Sequence, residues 1–375
     1  MNSKIKNVLF YAEDIAQIEY NADHPFKPHR AKIFLELLKR YNLIFEDDQK
    51  IITPSKIDES FLNLGHDQNY LLALKDSSAG KFKADFIKYG LGTSDNPIFE
   101  GLYEFSWIAT SATYQGAQLL AEDKARFIFN PHGGFHHAGF KQAEGFCYIN
   151  DIVIAIKSLV ARGKRVAYLD IDVHHGNGVQ DAFYETDKVL TISIHESGRT
   201  LYPGSGFENE IGLGAGEGYN INIPLEAGTD DEVYLYAFKK IVPSLIEKFK
   251  PDFIFFELGA DAHKDDPLAN LNLTSNGYQE VVEIVNKIAP KILVTTGGGY
   301  NVDKTVSLWT LAWSIFCDLK PEDHYAGSVG GMMYGDEKSL GSLYDPPFKT
   351  HGYKKEKCLN EAERVVSFLE KLIFF

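Results

Sequence analysis

Cysteine is scarce: Cys147, Cys317 and Cys358 are the only three in 375 residues, and no Cys-x-x-Cys pair occurs. That excludes a disulfide-stapled scaffold and a cysteine-knuckle zinc site, and it fits reduced thiols in a cytoplasmic compartment. Positive charge is also in short supply, with 38 Lys and Arg against 52 Asp and Glu for a net charge of −14. A polyanion would be repelled, so neither nucleic acid nor an anionic membrane is expected as a direct partner, whereas a basic polypeptide suits this surface. No apolar run of about 18 residues is present, which argues against a spanning helix, and the N-terminal stretch lacks the apolar core of a secretory signal. Linkers, repeats and low-complexity tracts are missing too. A single domain over 1–375 is therefore expected, with a turn-rich segment and a terminal helix in 321–375.

What is present is core material, with 44% hydrophobic residues, 26 Phe and 20 Tyr. Short runs rich in Val, Ile and Phe at 8–11, 126–131, 166–172, 189–195, 253–258 and 291–296 end in polar or glycine-rich turns. Near-continuous hydrophobicity of this kind marks strands covered on both faces. Helical patterns fall between and after them, at 150–163, 230–249 with an interruption at Pro243, 277–288, 303–318 and 354–375. In the first, Ile152, Ile156, Leu159 and Val160 share a face; in the fourth, Val306, Trp309, Trp313 and Phe316 do. Strands and helices in this alternation predict an α/β fold, an open, mostly parallel wound sheet flanked by helices.

Ligands of such sheets gather beyond the carboxyl ends of the strands, so those ends should carry chemistry. The stretch 165–178 reads Arg-Val-Ala-Tyr-Leu-Asp-Ile-Asp-Val-His-His-Gly-Asn-Gly. Strand alternation puts Asp170, Asp172 and His174 on one face and Ile171 and Val173 on the other. Two carboxylates at the end of a buried strand repel each other and lose hydration unless a cation or donors compensate. The run at 126–131 is followed by His132-Gly-Gly-Phe-His-His, the run at 253–258 by Gly259-Ala-Asp, and the run at 291–296 by Gly297-Gly-Gly-Tyr.

Assembled, these ends give Asp172, His174 and Asp261 as metal ligands, with His136, His137 and Tyr300 around an open coordination position. Three protein ligands leave room for water and substrate, the catalytic rather than the structural arrangement. The set is oxygen-rich for Zn2+, so Fe2+, Co2+ and Mn2+ compete with it. His24, His29, His66, His132, His195 and His263 read as structural histidines, and Cys147 as a buried thiol.

The motifs Gly133-Gly-Phe-His-His, Gly145-Phe-Cys-Tyr-Ile-Asn, Leu169-Asp-Ile-Asp-Val-His-His-Gly-Asn-Gly-Val-Gln, Gly259-Ala-Asp and Gly297-Gly-Gly-Tyr resemble the zinc-dependent histone deacetylases and their prokaryotic relatives. His195-Glu-Ser-Gly-Arg-Thr-Leu-Tyr-Pro-Gly-Ser-Gly is similar to the acetoin utilisation protein branch. The resemblance implies an arginase-like sheet and hydrolysis of an acetylated or otherwise acylated lysine amide in a protein or peptide. In that family His137 matches the general base, His136 an electrostatic partner, Asp170 the carboxylate behind His136, and Tyr300 the oxyanion donor. Asn177 stands behind His137, where many relatives carry Asp. Gly145, Phe146 and Tyr202 match the walls of a narrow lysine tube, Asp95 a rim carboxylate, and Arg30 a residue near an inner acetate pocket. Leu268 stands where polyamine-specific relatives carry Glu, which disfavours an acetylpolyamine. The family also implies structural K+ or Na+, one near Asp170, Asp172, His174 and Ser193, another near Phe183, Thr186, Val189 and Tyr219. The competing readings are a binuclear amidinohydrolase, for which the end of the 253–258 strand offers too few carboxylates, a small acyl-amide hydrolase, and an acyl-lysine binder without turnover.

Overall fold

The computed structural model describes residues 6–372 apart from 22, 45–47, 82 and 322–341. Among these residues, β1 (Asn7–Phe10), β2 (Gln49–Ile52), β3 (Phe127–Asn130), β4 (Val166–Asp170), β5 (Val189–Glu196), β6 (Asn220–Leu225), β7 (Phe253–Glu257) and β8 (Ile292–Thr295) form one sheet. Its order is β2-β1-β3-β8-β7-β4-β5-β6, and every pairing is parallel.

Alternation along the strands explains why the sheet needs helices on both faces. Phe127, Phe129, Ala167, Leu169, Ile254, Phe256, Ile292 and Val294 pack on one face, against the helices Arg30–Arg40, Asp231–Phe249, Ser275–Ile288, Val302–Phe316 and Gly352–Leu372. Ile128, Val166, Tyr168, Phe253, Phe255 and Leu293 pack on the other, against Leu102–Ala121 and Asp151–Val160. Burying such a side chain stabilises by about 1.5–3 kcal/mol, so the two faces set the register.

Register then places the chemistry. The last residues of β3, β8, β7 and β4 are aligned, Asn130 with Thr295, Thr295 with Glu257 and Glu257 with Asp170, and Asp170 is level with Ser193 inside β5. This polar row is buried, and the loops that leave it carry the residues of the candidate site.

Several elements escape the hydrophobic pattern. β2 is a partly exposed edge strand of sequence Gln-Lys-Ile-Ile, and β6 buries Asn220 and Asn222 rather than an apolar pair. The Leu102–Ala121 helix is rich in Ser, Thr and Ala, which blurs its period; Ser106, Thr110 and Ser111 return their hydroxyls to carbonyls one turn back. Arg30–Arg40, Gln68–Ser78 and Asn177–Phe183 are further helices outside the expected set. Pro243 does not interrupt its helix, which runs from Asp231 to Phe249, because Val242, Leu245, Ile246 and Phe249 are buried around it and packing outweighs the missing donor. Of the turn-rich stretch at 326–350, residues to 341 lie outside the described residues, as do 373–375 of the expected terminal helix.

Candidate active site

Asp172, His174 and Asp261 come together beyond β4 and β7, with one ligating atom from each within 4.8 Å of the others. They are the one such group among the described residues, so no second site of that kind adjoins them. Backbone donors aim both carboxylates. Asp172 accepts from the amides of His174 (2.9 Å) and Gly298 (2.7 Å), and Asp261 from the amide of Val173 (2.9 Å). His174 Nδ1 lies 3.2 Å from Asp172 Oδ1 and 3.1 Å from Asp261 Oδ2. All three residues are buried.

The donor set fits a divalent ion. Burial and the charge of Asp172 push the Asp261 carboxyl up to about 7. Burial opposes a charge on His174, yet the two carboxylates raise its pKa to about 10. Both directions express a buried pair of carboxylates that requires positive charge between them. Gly259 and Gly298 have a steric role here: a methyl on either would press into the Asp172 carboxylate, and one on Gly298 also into that of Asp261.

On one flank stand the two adjacent histidines. His136 Nδ1 lies 2.9 Å from Asp170 Oδ2, and Asp170 also accepts from Tyr168 Oη (2.7 Å) and from the Asp172 amide (3.0 Å). His137 Nδ1 lies 2.7 Å from Asn177 Oδ1, and the two Nε2 atoms are 3.1 Å apart. Burial disfavours charge on both rings, but Asp170 and Asp172 lift the pKa of His136 above its ordinary value. With no such partner, His137 is held well below by burial and then by the charges of His136 and His174. The pair therefore divides into a ring whose surroundings favour the charged form and one whose surroundings favour the neutral form, with a lone pair to offer.

The loop that carries them is fixed from the start of the Asp151–Val160 helix. Asp151 accepts from the amides of Gly134 (3.2 Å) and Phe135 (2.9 Å), and Asn150 donates to the carbonyl of Ala138 (3.0 Å) while capping the helix. Neither residue was given a role from the sequence, although Asn150 closes the motif that begins at Gly145 and Asp151 follows it.

On the other flank Tyr300 is aimed by its backbone, whose amide donates to Asp266 Oδ2 (2.7 Å). Arg30, 2% exposed, clamps the preceding glycines through the carbonyls of Gly299 (2.6 Å) and Gly297 (2.9 Å). A narrow cavity of about 20 Å³ runs between Phe26, Phe135, His136, His137, Phe146 and Tyr300. Phe146 and Tyr300 meet edge to face at 5.8 Å, as do His137 and Tyr202 at 5.2 Å. Tyr202 is 40% exposed at the mouth. Asp95 is exposed, and its carbonyl accepts from His24, whose ring packs edge to face on Phe146. Leu268 is partly buried beside Asp266, which binds its amide.

Ser193 is aligned with Asp170 and bonds His195 Nδ1 (2.8 Å). Phe183 and Thr186 share a turn (3.3 Å) ahead of Val189, and the Tyr219 carbonyl accepts from Thr191. His66, His132, His195 and His263 each bond a backbone or carboxylate group. Burial raises the Cys147 thiol well above its ordinary pKa, as expected of an inert thiol.

The histone deacetylase domain matches residues 24–316. The chain belongs to the histone deacetylase family. It is 36% identical over 343 residues to histone deacetylase clr6 of Schizosaccharomyces pombe, covering 91% of this chain and 84% of that one. It is 38% identical over 315 residues to the acetoin utilization protein AcuC of Bacillus subtilis, covering 82% of this chain and 81% of that one. Among solved structures, an HDAC homolog from Aquifex aeolicus superposes with a TM-score of 0.84 at 31% identity, over 98% of this chain and all (100%) of that one. An HDAC homolog complexed with SAHA gives a TM-score of 0.85 at 31% identity, over 99% and 100%. Members of the family are hydrolytic, metal-dependent deacetylases, and this chain is an enzyme of that kind. No helix among the described residues is long and apolar enough to cross a membrane.

Proposed function

We propose that the protein hydrolyses the amide of acetylated, or otherwise acylated, lysine side chains in proteins or peptides, with Zn2+ held by Asp172, His174 and Asp261. Fe2+, Co2+ and Mn2+ suit the same donors. The observation that carries this reading is that His136, His137 and Tyr300, which line one aromatic cavity, stand around the buried Asp-His-Asp group. When bound, the ion supplies a Lewis acid that polarises the amide carbonyl and acidifies water.

The side chains account for the remaining steps. His137 Nε2 takes a proton from water as the water oxygen bonds to the carbonyl carbon. It returns that proton to the lysine nitrogen as the C–N bond breaks, and the carboxylic acid so formed passes its proton to the amine, giving acetate and a lysine ammonium group. The depressed pKa of His137 keeps the ring neutral and ready for the first transfer. His136, with Asp170 behind it, places positive charge near the forming oxyanion. The Tyr300 hydroxyl donates to the carbonyl oxygen as it gains charge. Asn177 orients His137 with a neutral amide, which raises its basicity less than a carboxylate would.

Gly145, Phe146 and Tyr202 flank the lysine methylenes, for which aromatic faces are suited. Asp95 accepts substrate backbone amides at the rim, and Arg30 stands behind the reacting centre. Leu268 brings no charge for a polyamine, which favours a peptide. K+ or Na+ near Asp170, Asp172, His174 and Ser193, and near Phe183, Thr186, Val189 and Tyr219, has a structural role. We place the protein in the cytoplasm as a single catalytic domain, with no direct nucleic acid or membrane partner, in keeping with its charge of −14 and its sparse cysteines. The test is a parallel assay of acetyl-lysine peptides, longer acyl-lysines and acetylpolyamines, with and without a chelator and a hydroxamate. Turnover of the lysine substrates that the chelator abolishes is expected, and turnover of polyamines alone would refute the substrate class.

A further inference from the structure

Behind the catalytic pair is a carboxylate with no part in the steps above. Glu144 Oε1 accepts from Asn177 Nδ2 (3.3 Å) and from Tyr202 Oη (2.9 Å), while Oε2 accepts from Gln142 Nε2 (2.8 Å). Asn177 in turn presents Oδ1 to His137 Nδ1 at 2.7 Å. Glu144 thus touches the base through one amide and the tunnel wall through one hydroxyl.

Its position is fixed by the backbone. Glu144 and Cys147 exchange both main-chain hydrogen bonds, at 3.0 and 2.9 Å, across a two-residue turn made of Gly145 (φ 52°) and Phe146 (φ 69°). Positive φ at both central residues is the type I′ hairpin pattern, which a non-glycine residue such as Phe146 adopts only where its surroundings hold it there. The Phe146 carbonyl is held by Tyr20 Oη (2.9 Å), which keeps this turn in place. The hairpin that projects Phe146 into the tunnel therefore also delivers the Glu144 carboxylate to Asn177.

Chemistry gives that contact a consequence. A side-chain amide has two faces of opposite character, and unaided it could offer His137 either its oxygen or its NH2 group. A carboxylate only accepts, so a neighbouring one selects the orientation in which NH2 points away from the histidine. Oδ1 then faces Nδ1, Nδ1 must carry the hydrogen, and the lone pair is left on Nε2, the atom that takes the proton. A carboxylate in place of Asn177 would need no such help, because it can only accept. We propose that Glu144 is a positioning residue that sets the tautomer of His137 through Asn177 while tethering Tyr202 at the tunnel mouth; this rests on the proposed role of His137 as base.

Two measurements on the metal-loaded full chain test it. Long-range 1H–15N NMR of 15N-histidine protein, with His137 assigned by its loss in His137→Ala, reads the tautomer directly. Native protein should show hydrogen on Nδ1, and Glu144→Gln should show a mixture, since a second amide can donate or accept. Kinetically, Glu144→Gln should lower kcat in proportion to the fraction of His137 left in the competent tautomer, about 2-fold for an even mixture and more where the other tautomer dominates. The same change in an Asn177→Asp background should be neutral or beneficial, because there it relieves two carboxylates facing each other. An unchanged tautomer in Glu144→Gln, a loss confined to KM, or an equal loss in both backgrounds overturns the proposal. If the native protein fails to deacetylate lysine at all, the proposed function falls while the NMR arm still decides the Glu144 linkage.

Discussion

Tyr300→Phe removes one oxygen, and the structure allows its effect to be worked out. The ring would stay where it is, because its position depends on the Tyr300 amide bonded to Asp266 and on the edge contacts with Phe146 and His174, at 5.8 and 6.4 Å, which phenylalanine keeps. Among the described residues the hydroxyl has no hydrogen-bond partner, so its loss leaves no buried group unsatisfied. Stability should change by no more than about 0.5 kcal/mol, and metal content should be unchanged. What disappears is the donor proposed to meet the developing oxyanion, an interaction worth about 2.7–4 kcal/mol, or roughly 10²–10³ in kcat. Burial and then the charges of Asp261 and Asp172 hold the phenol pKa well above its ordinary value, so native Tyr300 remains a donor across the whole assay range. A fluorogenic acetyl-lysine assay under saturating substrate, with metal analysis and a thermal melt on the same samples, makes the comparison. Full activity in Tyr300→Phe would refute the oxyanion role.

Asp261→Asn should lose the metal itself, with affinity falling by more than about 100-fold, beyond what outer-sphere partners contribute, and deacetylation should fall in step; metal retained at native affinity contradicts the ligand assignment. Gly298→Ala should weaken metal binding while leaving the circular dichroism spectrum native, because its methyl displaces the Asp172 and Asp261 carboxylates and touches no core layer; isothermal titration with Zn2+ reads the change. His66, buried and accepting the Asn150 amide, has its pKa lowered by burial to about 4. The unfolded chain then binds a proton that the folded one refuses, so stability falls as pH drops from about 6.5 towards 4, by about 1.4 kcal/mol per pH unit for this histidine. Urea midpoints should show that decline and a shallower one in His66→Gln; equal slopes would show that His66 is not the group responsible.

Legibility in the sequence follows the kind of physics involved. Strands covered on both faces announce themselves as apolar runs, which is why β1, β3, β4, β5, β7 and β8 can be read directly. β6 hides because Asn220 and Asn222 alternate with its isoleucines and are satisfied by Gln180 Oε1, a partner 40 and 42 residues away. The metal group is legible because one strand end compresses two carboxylates and an imidazole into five positions, and because Asp261 and Tyr300 follow strands of the same kind. Residues that act on backbone or through a neighbour leave no such mark. Asp151, Asp266 and Glu144 are carboxylates in loops or at helix starts, and only the folded chain brings them to the Gly134 amide, the Tyr300 amide and the Asn177 side chain. Glu257 lies inside the 253–258 run, and its place in the buried polar row, bonded to Thr295 Oγ1, depends on the register of β7 with β8.

The most direct test of the account is the number and ligation of divalent ions on the native chain. Anomalous diffraction at the zinc edge of metal-loaded crystals should show one ion per chain, ligated by Asp172, His174 and Asp261 with a flank open towards His137 and Tyr300. Two ions bridged by these carboxylates, or an ion ligated elsewhere, would contradict it.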